Sequence, residues 1–218
     1  MTEQEIWDHY NGLILSPDGD RIRKLLVRYE LFKLSLEVPG DIVECGVFRG
    51  VGLMYWLKLL RIYAPAAHKR VVGFDTFGSF GGSLLPYEEK SAHRYLQEAS
   101  FAGVEAGDLL SLARAAGFTR EVELVAGNLE QTAREYAEQN PGWRISLLHL
   151  DSDTYGGTRA ALEHLYPFVP RGGVVIFDEY ADRGWGESDA VDEYFAPRKV
   201  SLRSVPFASK PTAYLIKP

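Results

Sequence analysis

Leu147-Leu-His-Leu-Asp-Ser-Asp-Thr-Tyr155 is an apolar run that ends abruptly in two carboxylates. A second run, Gly173-Val-Val-Ile-Phe-Asp-Glu-Tyr180, also ends in two carboxylates. Short apolar runs of this kind are typical of strands buried in a parallel sheet. Parallel strands bring their carboxyl ends to one edge of an open sheet, which is where such folds bind ligands. The two runs therefore predict an α/β fold with one acidic crevice.

The four acids at these strand ends are Asp151, Asp153, Asp178 and Glu179. Like charges within a few ångströms repel each other unless protons or a cation compensate them. Because carboxylate oxygens favour Mg²⁺, Mn²⁺ or Ca²⁺ over zinc, we expect a hard divalent cation at this edge. The alternative is that the acids merely cap the strand ends in solvent.

A strand, a glycine turn and a helix are predicted from residue 41 onward. Asp41-Ile-Val-Glu-Cys-Gly-Val-Phe-Arg-Gly-Val-Gly52 supplies the strand and the turn, and the helix follows over residues 53–63. In such an arrangement backbone N–H groups and a helix start approach a ligand closely. The glycines do not match the G-x-G-x-x-G dinucleotide fingerprint, which disfavours an NAD-dependent oxidoreductase. A tight turn without a ligand is the alternative.

Two acids lie near this turn. Glu44, at the end of the first strand, is expected to face the turn, where it would attract a cationic ligand group. Arg70-Val-Val-Gly-Phe-Asp75 predicts a second strand that ends in Asp75. An acid at that place in a doubly wound sheet commonly binds ribose hydroxyls, and the preceding glycine turn strengthens this interpretation.

Strands and helices alternate along the rest of the chain. A helix with an apolar stripe is predicted over residues 19–37, and its basic residues, which include Lys24 and Arg28, are interpreted as a solvated face. Residues 199–205 and 212–217 predict an antiparallel C-terminal hairpin. Five βα units and this hairpin give a mostly parallel, seven-stranded sheet with helices on both faces. We expect one domain over residues 1–218, with N-terminal helices in residues 1–38.

Residues 78–118 form a long insertion between the second and third strands. It carries Tyr87, His93, Tyr95 and Phe101 and begins close to a run rich in glycine and serine. A long crossover of this composition is a candidate lid or substrate-binding insertion over the crevice. An ordinary pair of surface helices is the alternative.

Composition limits the class of protein. The chain has 218 residues, 46% of them hydrophobic, and a formal net charge of -6, so we expect no nucleic-acid partner. The single cysteine, Cys45, excludes an internal disulfide framework and fits a reducing compartment. We find no signal peptide and no apolar run long enough to span a bilayer, so we expect a cytoplasmic protein without a membrane partner.

Four motifs, taken in order, resemble the macrocin O-methyltransferase family: residues 38–50, 73–77, 150–155 and 172–180. This family consists of class I, S-adenosylmethionine-dependent and metal-dependent enzymes that methylate hydroxyls of sugars and phenols in antibiotic-type natural products. The resemblance implies a Rossmann-like class I methyltransferase fold and a small-molecule hydroxylated substrate. A homo-oligomer is compatible with the sequence.

The resemblance also assigns a cofactor site, position by position. Glu44, Gly46 and Gly50 would bind the methionine end of S-adenosyl-L-methionine. Asp75, Thr76 and Phe77 would bind its ribose, and Gly127 and Asn128 would bind its adenine.

For the metal, Mg²⁺ or another hard divalent cation, the resemblance implies Asp151, Asp178 and Glu179 as ligands. The family usually has Asp where this chain has Glu179, which keeps the charge on a longer side chain. Asp153 would be the general base. A cation that chelates two substrate oxygens would lower the pKa of the attacking hydroxyl, and Asp153 would accept its proton.

Three alternatives to this function are a metal-independent or N-methyltransferase on the same fold, a non-catalytic S-adenosylmethionine-binding protein, and the oxidoreductase already disfavoured.

His149 precedes the acids of the fourth strand, and we expect it to be a satisfied core residue rather than a partner of the metal ligands.

Overall fold

A six-stranded sheet runs through the part of the chain that the computed structural model describes, residues 1–78, 81–98 and 104–218. The strands are β1 (Asp41–Cys45), β2 (Val71–Asp75), β3 (Val122–Ala126), β4 (Ile145–Leu150), β5 (Val174–Phe177) and β6 (Ala213–Ile216). Their order is β3-β2-β1-β4-β5-β6, and only β6 is antiparallel to its neighbour within this sheet. The order reverses between β1 and β4, the switch point at which open α/β sheets bind ligands.

Helices cover both faces of the sheet, as predicted. They are α1 (Glu3–Leu15), α2 (Asp20–Ser35), α3 (Val51–Tyr63), α4 (Pro86–Glu98), α5 (Ala106–Ala115), α6 (Leu129–Gln139), α7 (Tyr155–His164) and α8 (Glu187–Phe195). One core layer joins α2, α3 and α5 to one face, and a second joins α6, α7 and α8 to the other. Neighbouring strand residues such as Ile42 and Val43 point into opposite layers. None of the helices in the described ranges has the length and apolar character that crossing a bilayer requires.

The C-terminal pairing differs from the predicted hairpin, so the described sheet has six strands rather than seven. Residues 199–205 contribute an isolated antiparallel bridge between Arg203 and Tyr214, and β6 pairs with β5. Most of the polar residues in this segment are exposed, while Val200 and Leu202 are only half-buried. The apolar and polar residues alternate as in a strand, but they bury too little area to hold a continuous edge strand.

Gly46 lets the ends of β1 and β4 approach each other. Its N–H donates to the carbonyl of Phe74 at 2.8 Å, and the N–H of Asp151 donates to the carbonyl of Cys45 at 2.8 Å. Gly46 has a φ of 93°, and a Cβ at this position would lie 1.9 Å from the carbonyl oxygen of Asp151. The turn after β1 therefore requires glycine for both its backbone conformation and this close contact.

Replacing Gly46 with alanine should destabilise the protein by at least about 1–3 kcal/mol, the usual cost of a strained backbone, because the methyl group also meets the Asp151 carbonyl. The measurement is the free energy of unfolding in urea. Gly107→Ala is the matched control, since a Cβ there meets nothing within 4 Å in α5, and it should be neutral or stabilising. A Gly46→Ala protein as stable as the wild type would contradict this account of the turn.

Candidate functional site

The four acids predicted at the ends of β4 and β5 converge. Carboxylate oxygens of Asp151, Asp153 and Glu179 lie within 4.8 Å of one another. A second group joins Asp151 to Asp178 and a ring nitrogen of His149 within the same distance. The expected ligand set of Asp151, Asp178 and Glu179 is therefore divided between two groups, with Asp151 in both.

Two basic residues of α2 lie against the acids. Lys24 Nζ is 2.8 Å from Asp178 Oδ2, and Arg28 Nη2 is 3.0 Å from Asp151 Oδ2. Burial alone would lower the pKa of Lys24, but the charges of Asp151 and Asp178 outweigh it and raise that pKa. The prediction that Lys24 and Arg28 belong to a solvated face is wrong. Arg28 precedes the buried Leu31 and Phe32 by three and four residues, a spacing that placed it on the core side of the helix.

His149 links two of the acids inside the core. Its ring nitrogens lie 3.2 Å from Glu44 Oε1 and 3.1 Å from Asp178 Oδ1. It is fully buried, as predicted, but it also contacts a proposed metal ligand. Burial opposes ionisation of Asp178, yet the hydrogen bond with His149 and the charges of Lys24 and Arg28 hold the pKa of Asp178 well below its usual range.

Glu44 is buried beneath the glycine turn. Trp56 Nε1 donates to its Oε1 at 3.2 Å, and a Cβ on Gly52 would lie 2.0 Å from the same oxygen. Its Oε2 is buried and has no hydrogen-bond partner within the described part of the chain. Glu44 therefore faces the turn from below and contacts α3.

Glu179 is paired with a cation from the segment before β6. Lys210 Nζ contacts Glu179 Oε2 and lies 2.9 Å from Asp182 Oδ2. Burial and the hydrogen bond with Asp182 raise the pKa of Glu179 to about 8, against the opposing effect of Lys210. No sequence pattern marks Lys210, which is distant in the chain and lies in an irregular segment.

Asp153 has a left-handed backbone, with a φ of 61°. This conformation is uncommon for a non-glycine residue and is frequent at functional sites. Burial, together with the charges of Asp151, Glu179 and Asp178, holds the pKa of Asp153 well above its usual range. Strongly perturbed carboxyl groups of this kind cluster at functional sites.

The expected cofactor residues lie at the carboxyl ends of β1, β2 and β3, on the other side of the switch point. Asp75 Oδ2 accepts from the N–H groups of Val47 at 2.6 Å and Phe48 at 2.8 Å, and its Oδ1 accepts from the N–H of Phe77 at 2.8 Å. Asp75 thereby holds the turns after β1 and β2 together.

Glycines and an amide shape the rest of this half. Gly50, with a φ of 79°, caps α3, and Gly127, with a φ of 140°, donates its N–H to the carbonyl of Asp75 at 2.9 Å. Asn128 caps α6 by accepting the N–H of Glu130 at 3.0 Å, and Thr76 is half-buried beside Asp75. These residues form one continuous rim along β1, β2 and β3.

The insertion forms two helices, α4 and α5. Burial and the charges of Asp153, Asp151 and Glu179 raise the pKa of Tyr95 on α4, and its ring packs 6.0 Å from that of Phe48. Tyr87 donates to Asp189 at 2.6 Å, and His93 is exposed. Phe101 lies outside the described residues.

Known proteins resemble this chain over most of its length. The family model for macrocin-O-methyltransferase (TylF) matches residues 21–203. The 8-demethyl-8-(2,3-dimethoxy-alpha-L-rhamnosyl)-tetracenomycin-C 4'-O-methyltransferase of Streptomyces olivaceus is 32% identical over 163 residues, which cover 72% of this chain and 58% of that protein. The mycinamicin III 3''-O-methyltransferase of Micromonospora griseorubida is 29% identical over 161 residues, which cover 72% and 61%. This chain thus spans about three fifths of the length of these curated relatives.

A solved structure shares the fold. The apo form of CalS11, a TDP-rhamnose 3'-O-methyltransferase of calicheamicin biosynthesis, is 30% identical, has a TM-score of 0.74, and is matched over 99% of this chain and 87% of that one. The chain has the class I methyltransferase fold and belongs to the macrocin-O-methyltransferase (TylF) family.

Proposed function

We propose that this protein is an S-adenosylmethionine-dependent O-methyltransferase that uses a divalent cation to methylate a hydroxyl, on a sugar or phenol, of a small natural product. The observation that carries the proposal is the convergence of three carboxylates within 4.8 Å, beside the glycine turn at the switch point. Two of the relatives named above carry a rhamnosyl group or TDP-rhamnose in their names, which supports a sugar hydroxyl as the acceptor. Tetracenomycin, mycinamicin and calicheamicin in the three names support a role in antibiotic-type biosynthesis.

The proposed cofactor fits the acceptor capacity of Asp75. A carboxylate offers about four acceptor sites, and three of those on Asp75 are taken by backbone N–H groups. The fourth donor is the Thr76 hydroxyl at 3.5 Å from Oδ1, a long contact that a ribose hydroxyl would replace. Gly46, Gly50, Thr76 and Phe77 line the adjoining turns. When bound, S-adenosylmethionine supplies a methyl group on a positively charged sulfur.

A hard divalent cation fits the acid group. Asp151, Asp153 and Glu179 each place a carboxylate oxygen within 4.8 Å of the other two, and such oxygens are the ligands that a hard cation prefers. Asp178 would be the third ligand if Lys24 withdrew from it, and Asp153 would then act as the base. When bound, the cation would supply the positive charge that lowers the pKa of a substrate hydroxyl. Asp153 would accept the proton from that hydroxyl.

A metal-independent transferase is a second candidate, and one observation favours it. Lys24, Arg28 and Lys210 already pair with Asp178, Asp151 and Glu179, so cations of the chain itself supply positive charge at the edge.

S-adenosylhomocysteine should raise the melting temperature of the protein, and NAD(H) should not. Asp75→Asn should weaken S-adenosylhomocysteine binding by about tenfold or more, because it removes a charged hydrogen-bond acceptor. Calorimetric titration measures the affinity, with Glu135→Gln on the exposed side of α6 as the control. Stabilisation by NAD(H) instead would contradict the proposed cofactor.

Treatment with excess EDTA should abolish methyl transfer, and added Mg²⁺ or Mn²⁺ should restore it, because the acid group would lose its cation and regain it. The measurement is the formation of S-adenosylhomocysteine with a panel of sugar and phenol acceptors. Full activity in EDTA would favour the metal-independent candidate.

Asp153→Asn should reduce kcat by about 10²- to 10⁴-fold, the usual contribution of a general base, and leave S-adenosylhomocysteine affinity unchanged. Glu135→Gln, at an exposed acid on α6, again serves as the control for loss of a charge. Wild-type turnover in Asp153→Asn would remove Asp153 from the role of base.

A further inference from the structure

Glu88 is a buried carboxylate beside the site that the proposed mechanism does not use. It belongs to the first turn of α4 and is 0% exposed. Its Oε1 accepts from the N–H groups of Tyr155 at 2.7 Å and Gly186 at 2.9 Å, and its Oε2 accepts from the N–H of Leu85 at 2.7 Å. Three backbone donors therefore compensate this buried charge.

The three donors lie at the starts of three helices. Leu85 directly precedes α4, Tyr155 is the first residue of α7, and Gly186 directly precedes α8. The first N–H groups of a helix have no partner within the helix, and they carry the positive end of its dipole. One carboxylate at their meeting point satisfies all three, which explains why a buried charge is tolerated there.

Two of these helices begin next to the proposed catalytic acids. Tyr155 follows Asp153 by two residues. Gly186 precedes Glu187, a fully buried residue whose Oε1 accepts the N–H of Glu179 at 2.8 Å. Glu88 thus connects the loop after β4 to the loop after β5, and both loops carry members of the acid group.

Glycines allow α4 to approach the loop after β5. A Cβ on Gly186 would lie 2.4 Å from Glu88 Oε1 and 2.5 Å from Tyr155 Cβ. A Cβ on Gly184 would lie 2.5 Å from Ser91 Oγ. This first part of the insertion is therefore packed directly against the site.

We propose that Glu88 is a positioning residue, which fixes the loops after β4 and β5 so that the carboxylates of Asp151, Asp153 and Glu179 converge. Once ionised, these carboxylates repel one another, and hydrogen bonds to a single buried acceptor hold the two loops together against that repulsion. Glu88 acts through the backbone of Tyr155 and Gly186 and touches neither reactant. This inference rests on the proposed function, because the converged acids are its proposed metal and base group.

The experiment compares Glu88→Ala, Glu88→Gln and Gly186→Ala with the wild-type protein. Glu88→Ala should accelerate hydrogen exchange at the Tyr155 and Gly186 amides and weaken Mn²⁺ binding by about 10- to 100-fold, as loss of an outer partner of metal ligands does. Glu88→Gln keeps one acceptor oxygen and should lose less. Gly186→Ala should reproduce the loss of Mn²⁺ affinity by forcing the same groups apart. S-adenosylhomocysteine affinity should stay unchanged, since the hydrogen bonds that Glu88 makes within the described ranges join it to Leu85, Tyr155 and Gly186 and not to the ends of β1, β2 or β3.

Glu89→Gln is the matched control, because this neighbouring carboxylate on α4 is exposed, and its variant should bind Mn²⁺ like the wild type. Should Glu88→Ala fail to fold, Glu88→Gln and Gly186→Ala decide the question. Wild-type Mn²⁺ affinity in the folded Glu88 and Gly186 variants would overturn the positioning role alone. A wild-type protein that binds S-adenosylhomocysteine but not Mn²⁺ would overturn both this role and the metal-dependent function.

Discussion

Repulsion among carboxylates at the ends of β4 and β5 is the constraint on which the rest of the site depends. Asp151 and Asp178 are compensated by Lys24 and Arg28 from α2, and Glu179 is compensated by Lys210. Asp153 is compensated differently, because burial and its acidic neighbours raise its pKa. Helix α2 and the segment before β6 are therefore both parts of the acid site, although neither lies near it in the sequence.

The sheet edge is divided into two halves that meet where the backbone of Cys45 and Gly46 contacts that of Asp151. The half formed by β1, β2 and β3 is held together by Asp75, which collects three N–H groups from two turns. The acid half begins with Asp151, whose carbonyl oxygen lies where a side chain on residue 46 would be. A hydrogen bond from Trp56 to Glu44, and hydrogen bonds of the His149 ring with Glu44 and with Asp178, continue across the core. A displacement of the glycine turn would be transmitted to the acids through both routes.

The sequence predicted the parts of the site that depend on local pattern. Apolar runs that end in acids indicated the parallel strands and the convergence of Asp151, Asp153 and Glu179, because strand ends share an edge. Helical spacing indicates that Arg28 faces the core, but it does not indicate that Asp151 is its partner there. The pairing of Lys24 with Asp178 and of Lys210 with Glu179 depends on tertiary packing alone. The predicted strand over residues 199–205 is reduced to one bridge for a reason that also depends on tertiary packing. The alternation of apolar and polar residues there does not reveal how little area they bury.

The meeting of three helix starts on Glu88 has a consequence for engineering within the family. An exchange of the insertion between relatives, made to alter which acceptor is methylated, would transplant the carboxylate without the glycine that accommodates it. Residues 88 and 186 therefore form a pair that has to be grafted together. Chimaeras designed at the boundaries of the insertion alone would separate a glutamate from the backbone amides that it serves.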